Sequence, residues 1–226
     1  MQVRRHFDRD IEQLKELLLR MGAMVEDQIN ESIRALMDRD SAVAQKVIDS
    51  DREIDAMELE IDQHTIELIA VMQPAAVDLR FVATAMKITP ELERIADLAV
   101  DVCERAMELN AEPPLKSLVE ISRLAHMAQD MVRQSLDAFV RRDAALARQV
   151  IARDDEVDSL TEQSFRELLT YMLEDSKNIS RAIRLTFTGK YFERIADGAT
   201  NICEMVVYLV EGKVIKHSGG GGHDSD

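Results

Sequence analysis

Most of the chain repeats apolar residues at alternating intervals of three and four positions. Near the start, Phe7, Ile11, Leu14, Leu18 and Met21 follow this spacing. Side chains spaced in this way lie on one side of an α-helix, where they form a buried stripe. The pattern recurs between short polar or proline-containing breaks. It predicts six long helices at about residues 7–37, 42–72, 75–109, 115–140, 144–173 and 179–210.

One segment of twelve residues occurs twice, 100 positions apart. Residues 93–104 read ERIADLAVDVCE, residues 193–204 read ERIADGATNICE, and eight positions are identical. A further match, between the segments that begin at Asp40 and Asp143, has an offset of 103. Matches at nearly constant spacing indicate an internal duplication. We therefore predict an all-α protein, built as a tandem duplication of a three-helix bundle with antiparallel helices, arranged end to end or side by side.

The clearest break in the pattern is residues 110–114, which contain two consecutive prolines. This break predicts a first three-helix repeat at 1–110 and a second at 115–212. Residues 213–226 are mostly glycine and polar residues, a composition that favours a flexible tail.

The charge of the chain restricts its partners. It has 28 lysines and arginines against 43 aspartates and glutamates, a net charge of −15. An acidic surface disfavours nucleic acid and anionic membranes, so we expect any membrane contact to be indirect, through partners. The sequence shows no apolar run that could span a bilayer, and we expect a cytoplasmic location. Cys103 and Cys203 occupy equivalent positions and are interpreted as reduced, buried residues.

Carboxylates also recur in pairs four residues apart. Each predicted bundle has one pair on its second helix and one on its third. The pairs are Asp51/Asp55, Glu93/Asp97, Asp154/Asp158 and Glu193/Asp197. Like charges four apart on a helix repel each other, so their recurrence at matched positions favours cation binding. A solvated acidic face, neutralised by Arg94 or Arg194, remains the alternative.

The pairs do not all lie on the same side of their helices. Glu93, Asp97 and their counterparts lie opposite the apolar stripe, whereas Asp51 lies near the inner face. The sequence therefore leaves open whether both pairs of one half reach one ion. An all-oxygen donor set suits Mg, Mn or Fe, and Zn less naturally. The sequence lacks a glycine-rich phosphate loop, a nucleophile elbow and a cysteine–histidine pair, so nothing in it indicates an enzyme.

With these residues in view, nearly the whole chain resembles the PhoU family, the phosphate-uptake regulators of bacteria. The most specific segments are 73–80 (QPAAVDLR), 92–97 (LERIAD), 192–202 (FERIADGATNI) and 208–213 (YLVEGK). The resemblance implies two three-helix bundles that bind metal clusters on their surface. By position, it adds Asp101 and Asn201 to the eight paired carboxylates as metal ligands. Pro90 and Gly198 depart from the expected pattern, but neither removes a ligand.

The resemblance also implies a function. Such proteins are cytoplasmic negative regulators of the phosphate-starvation response, and they usually form homodimers. They link the ATPase subunit of the phosphate-specific ABC transporter to a phosphate-sensing histidine kinase. Two other interpretations stay open: a carboxylate-rich helical protein with metal-dependent enzymatic or storage activity, and a helical scaffold without metal.

Overall fold

The computed structural model describes residues 2–72, 76–115 and 119–215. This part of the chain forms seven α-helices and one 3-10 turn at residues 176–178. The helices are α1 (Gln2–Met37), α2 (Ser41–Met72), α3 (Ala76–Asn110), α4 (Val119–Arg141), α5 (Ala144–Ile151), α6 (Asp154–Glu174) and α7 (Ile179–Glu211). None of these helices is long and apolar enough to cross a membrane.

The predicted helices agree with these bounds in most places. The first helix begins at Gln2, earlier than its predicted start at residue 7. The fourth was expected to begin at Leu115, but Leu115 is not helical, and residues 116–118 lie outside the described part of the chain. The predicted fifth helix is divided into α5 and α6 by a turn at Ala152 and Arg153, so a single helix at 144–173 is wrong.

An ion pair holds Arg153 at this turn. Its backbone N–H donates to the Val150 carbonyl at 3.0 Å, which tightens the chain from α-helical to 3-10 geometry. Its guanidinium Nη1 lies 2.7 Å from Oδ2 of Asp130 on α4. Apolar periodicity could not predict this break, because α5 and α6 both continue the inward-facing stripe. Both pack against α4 and α7, as α2 packs against α1 and α3.

The turns between the helices repeat in detail. Asp40 Oδ1 accepts hydrogen bonds from the N–H groups of the second and third residues after it, at 3.0 and 3.1 Å. Asp143 does the same at 3.0 and 2.9 Å, so both aspartates are N-caps. The preceding residues, Arg39 and Arg142, both have positive φ, 56° and 51°. At the end of α7, Gly212 has a φ of 71°, a left-handed conformation that favours glycine.

The two halves lie side by side, because α3 packs against α7 and α1 packs against α4. Most buried apolar residues of both halves form one continuous core, and Ala35, Ala44, Val47 and Cys103 form a second, small cluster. Cys103 and Cys203 are buried free cysteines, as predicted. The all-α duplicated fold is thus confirmed. The repeat boundaries 1–110 and 115–212 stay a prediction, and residues 216–226 of the tail lie outside the described residues.

Arginines from both halves hold the segment that joins them. Arg39 of the first half donates to the Leu109 carbonyl at 2.8 Å. Arg184 of the second half pairs with Glu108 at 2.7 Å and with Glu112 at 2.6 Å. These contacts fix the end of α3 against the start of α7, which places the two repeated segments next to each other.

Candidate metal centre

The two copies of the repeated segment run antiparallel along the contact between α3 and α7. Asn201 Nδ2 on α7 donates to Glu91 Oε1 on α3 at 3.1 Å. Gly198 lies against Ile95, so close that an added Cβ would be 2.8 Å from Ile95 Cγ1. The close approach explains why glycine stands here, where the first copy has Leu98. A polar cavity of about 300 Å³ opens between the copies.

We call Asp51, Asp55 and Glu58 of α2, with Glu93 and Asp97 of α3, the first carboxylate cluster. Both sequence-predicted pairs of the first half belong to it. The carboxylates act on one another across the two helices: loss of water and then the charge of Asp97 raise the pKa of Asp51. Loss of water and then the charge of Asp55 raise the pKa of Asp97. The fold therefore brings both pairs of the first half to one site.

Glu93 is the most strongly perturbed acid of the first cluster. Loss of water and the charges of Asp97, Glu58, Asp55 and Asp51 raise its pKa from 4.5 to about 7. A carboxyl with such a pKa is half protonated near neutral pH. The protein thus holds these acids together at a cost that a proton or a cation can relieve.

The second carboxylate cluster consists of Asp154 and Asp158 on α6 and Glu193 and Asp197 on α7. Loss of water, then the charges of Asp154, Glu193 and Asp158, raise the pKa of Asp197 to about 6. The two pairs of this half therefore also face each other. Asp154 is only 5% exposed and accepts a hydrogen bond from Thr200 Oγ1 at 3.3 Å.

Glu193 is more enclosed than its position on the helix predicts. It is 9% exposed, although the pattern places it opposite the apolar stripe of its helix. Its Oε1 pairs with Lys190 Nζ, three residues earlier on α7. Its Oε2 is buried and has no hydrogen-bond partner in the described residues. An unsatisfied buried carboxylate oxygen is costly and calls for a partner.

Asn201 lines the polar cavity together with Asp154 and Asp197 of the second cluster, and Asp101 lies one helical turn from Asp97 of the first. The side-chain amide of Asn201 is used in the contact with Glu91 of the other half. Burial raises the pKa of Asp101, as do the charges of Glu104 and Asp97, while Arg105 and Arg194 lower it. Asp101 therefore interacts with the first cluster through Asp97, and Asn201 interacts across the interface between the halves.

Two participants were missed by the sequence reasoning. Glu58 extends the acidic row of α2 by three residues from Asp55, and its spacing on the helix could have revealed it. Lys190 precedes Glu193 by three residues, which is also a helical neighbour spacing. Lys190 is thus a cation that pairs with a carboxylate of the second cluster.

The donor set of each cluster fits a hard cation, since it consists of carboxylate oxygens that repel one another. The orphaned Oε2 of Glu193 adds to this fit. Within the described residues, however, no three acidic, histidine or cysteine side chains are arranged as a ready-made metal site. The donor atoms thus have the chemistry that suits a metal ion, but the side chains are not arranged as they would be around a bound metal ion.

The fold and the two clusters define a class: a duplicated, all-α protein with one carboxylate cluster in each half. Comparison with known protein families identifies the particular family. The model of the PhoU domain matches the chain twice, at residues 18–106 and 121–206. The chain therefore belongs to the PhoU family.

The sequences of known relatives match this chain along nearly its full length. The chain is 41% identical over 209 residues to the phosphate-specific transport system accessory protein PhoU homolog of Aquifex aeolicus, covering 92% of this chain and 95% of the relative. It is 37% identical over 227 residues to the corresponding protein of Escherichia coli K12, covering 97% and 94%. These names describe accessory proteins rather than enzymes.

Two solved structures share the fold. The crystal structure of PhoU from Pseudomonas aeruginosa has a TM-score of 0.89 and 41% identity, and the match covers 92% of this chain and all of that one. A phosphate transport system regulatory protein PhoU from Streptococcus pneumoniae has a TM-score of 0.87 at 24% identity, covering 93% of this chain and all of that one. At that identity, the second likeness concerns the fold alone.

Proposed function

We propose that this protein is a non-enzymatic accessory protein that regulates a phosphate-specific transport system from the cytoplasmic side. The observation that carries the proposal is the match to accessory proteins of such systems over more than nine-tenths of the chain. The duplication and the two carboxylate clusters are consistent with a binding protein. No pattern in the sequence points to a nucleophile or an acid–base pair in a catalytic arrangement.

At a finer level, the protein is a negative regulator of the phosphate-starvation response. It acts as a homodimer that links the ATPase subunit of the phosphate ABC transporter to a phosphate-sensing histidine kinase. The family resemblance supports this role. The net charge of −15 supports protein partners over nucleic acid, since it repels a phosphate backbone.

The two carboxylate clusters are the proposed metal sites. Asp51, Asp55, Glu93 and Asp97 would hold ions in the first half. Asp154, Asp158, Glu193 and Asp197 would do so in the second. Mg, Mn, Fe or Zn would supply positive charge, which cancels the repulsion between acids on two packed helices. Metal binding would therefore stabilise the contacts of α2 with α3 and of α6 with α7.

Genetic complementation tests the regulatory role. Deletion of the gene from its own organism should leave the phosphate-starvation genes on in high phosphate, and the wild-type gene should restore repression. A deletion strain that still represses these genes normally would contradict the role. Elemental analysis of the purified protein tests the metal proposal separately, and metal-free protein that gains no stability from any of the four ions would contradict it.

A further inference from the structure

The outer face of the helix pair α6–α7 carries two rows of exposed apolar side chains. Phe165, Leu169 and Leu173 are four residues apart on α6 and are 45%, 41% and 81% exposed. On α7, Ile179, Ile183 and Phe187 follow the same spacing and are also exposed. Residues four apart lie on one face of a helix. Each helix thus contributes a row of three large apolar side chains.

The two rows meet in one groove. Phe165 and Phe187 both line a cavity of about 490 Å³ between α6 and α7. Because α6 and α7 are joined by the short turn at 175–178, the remaining members of both rows extend from this cavity towards the turn. The rows span eight residues of helix, about 12 Å. This apolar strip is longer than the cavity. Its length suits the apolar face of a bound helix rather than a small molecule.

Acidic residues line the other end of the groove. Asp158, Glu162 and Glu193 share the cavity with the two phenylalanines, and Lys190 is the basic residue among its lining side chains. A second copy of the chain, with its net charge of −15, would bring further negative charge to this acidic end. A partner with basic residues next to its apolar face is complementary to the groove instead.

The first half preserves this surface only in part. At the repeat offsets of 103 and 100, the positions of Phe165 and Phe187 are occupied by Asp62 and Lys87. Ile66 and Leu79, at the positions of Leu169 and Ile179, are also exposed, so the first half keeps one large apolar residue of each row but not the pair of phenylalanines where the rows meet. Large exposed apolar patches with a charged rim mark interaction sites.

We propose that the α6–α7 groove binds an amphipathic helix of a partner protein. The apolar face of that helix covers Phe165, Phe187 and the rows beyond them, and its basic residues meet Asp158 and Glu162. This inference rests on the proposed regulatory function, because a regulator must contact a partner.

Substitutions taken from the first repeat test the groove. Phe165→Asp with Phe187→Lys gives the second hairpin the residues of the first, at exposed positions where we expect the fold to tolerate them. The matched control is Ile66→Asp with Met86→Lys, which alters exposed apolar residues of the first hairpin. Circular dichroism and thermal melts of both variants verify that they fold as the wild type does.

The probe is a fluorescent 14-residue helical peptide with leucine at positions three and four apart and lysine elsewhere. Fluorescence anisotropy should show that it binds the wild-type protein and the control alike. It should bind the Phe165→Asp, Phe187→Lys variant at least tenfold more weakly. A peptide with glutamate in place of lysine should not bind. Equal binding to both variants, or no binding to the wild type, overturns the proposal.

Two further measurements distinguish a partner helix from a second copy of the chain and separate the groove from the regulatory role. If the wild type sediments as a dimer that the groove substitutions dissociate, a second copy occupies the groove and the proposal is wrong. In cells, the groove variant should lose repression while the purified variant keeps its stabilisation by metal. A deletion strain that represses normally would refute the regulatory function but leave the peptide result standing.

Discussion

The first carboxylate cluster lies between α2 and α3, and the second lies between α6 and α7, at positions related by the repeat offsets. The four paired acids are the same in type and order in both. Their neighbours differ: Glu58 in the first half corresponds to Thr161 in the second, and Pro90 corresponds to Lys190. The second cluster therefore has one acid fewer and a lysine that pairs with Glu193.

This difference shows what the duplication retained. The candidate ligands occupy the same positions in both halves, whereas the neighbouring groups that alter their charge differ. The first cluster has no paired lysine among the described residues, and its Glu93 has a pKa raised to about 7. The second cluster is partly neutralised by Lys190, and its Asp197 has a pKa raised to about 6. We therefore expect the first cluster to depend more strongly on a proton or a cation.

The largest expected effect comes from removing one acid from each cluster. Binding of one metal ion stabilises the folded protein by about 2.7 kcal/mol when the concentration of free ion is a hundredfold above the Kd of the site. Asp97→Ala with Asp197→Ala should abolish this gain while leaving a folded helical protein, because the core stripes are unchanged. In chelator, the double variant should be as stable as the wild type or slightly more stable, since a repulsion is removed.

Thermal melts with and without Mg, Mn, Fe(II) or Zn measure this effect. The single variants serve as controls, because each should keep the gain of the intact cluster. If metal shifts the melts of the wild type and the double variant equally, the carboxylates are a solvated face.

The next effect concerns Gly198, where α3 and α7 approach closely. Gly198→Ala places a Cβ within 2.9 Å of Ile95 Cδ1, in the buried contact between the two repeated segments. Overpacking of this kind costs about 1–3 kcal/mol. Gly189→Ala on the same helix is the control: its Cβ would lie 3.8 Å from Leu124 Cδ2, an ordinary contact.

Urea unfolding compares the two glycine variants. Gly189→Ala should stabilise the protein by about 1 kcal/mol, through higher helix propensity. A stabilised Gly198→Ala variant would mean that α3 and α7 are not as close as described.

A smaller effect is expected from pH in metal-free protein. Glu93 has a pKa of about 7 in the folded state, above its unfolded value, so the native state binds more protons between about pH 4.5 and 7. The contribution of Glu93 to the free energy of unfolding therefore rises as the pH falls through 7 towards 4.5. Relative to Glu93→Gln, the wild type should gain about 1 kcal/mol between pH 7.5 and 5.5, a value reduced for solvent screening.

Denaturant unfolding in chelator at several pH values measures this difference. Glu60→Gln, at an exposed position of α2, is the matched control and should follow the wild type. A constant difference between the wild type and Glu93→Gln would show that Glu93 is ordinarily solvated.

The last effect, similar in size to that of Glu93, comes from Lys190. Lys190→Met removes the cation that pairs with Glu193, so it makes the second cluster resemble the first. In an Asp97→Ala background, which leaves only the second cluster intact, a divalent ion should bind about fivefold more tightly, or about 1 kcal/mol. Isothermal titration measures the affinity. Weaker binding would mean that Lys190 organises the cluster rather than competing with the ion.

Much of this protein could be predicted from local patterns. Apolar periodicity predicted the helices, because a side chain's position on a helix depends only on its spacing along the chain. The N-cap at Asp40 and the left-handed end of the last long helix at Gly212 likewise require only neighbouring residues. The repeat offsets then identified the four acidic pairs, since a duplication copies positions together with their residue types.

The tertiary structure decided which of these residues meet. Whether the acids of two helices face each other depends on how the helices are rotated and aligned, and periodicity within one helix does not contain that information. The same holds for the burial of Glu193, and for the turn at Arg153, which depends on an ion pair with Asp130 of another helix. The antiparallel contact of the two repeated segments likewise follows from packing between the halves, where Gly198 lets α7 approach Ile95.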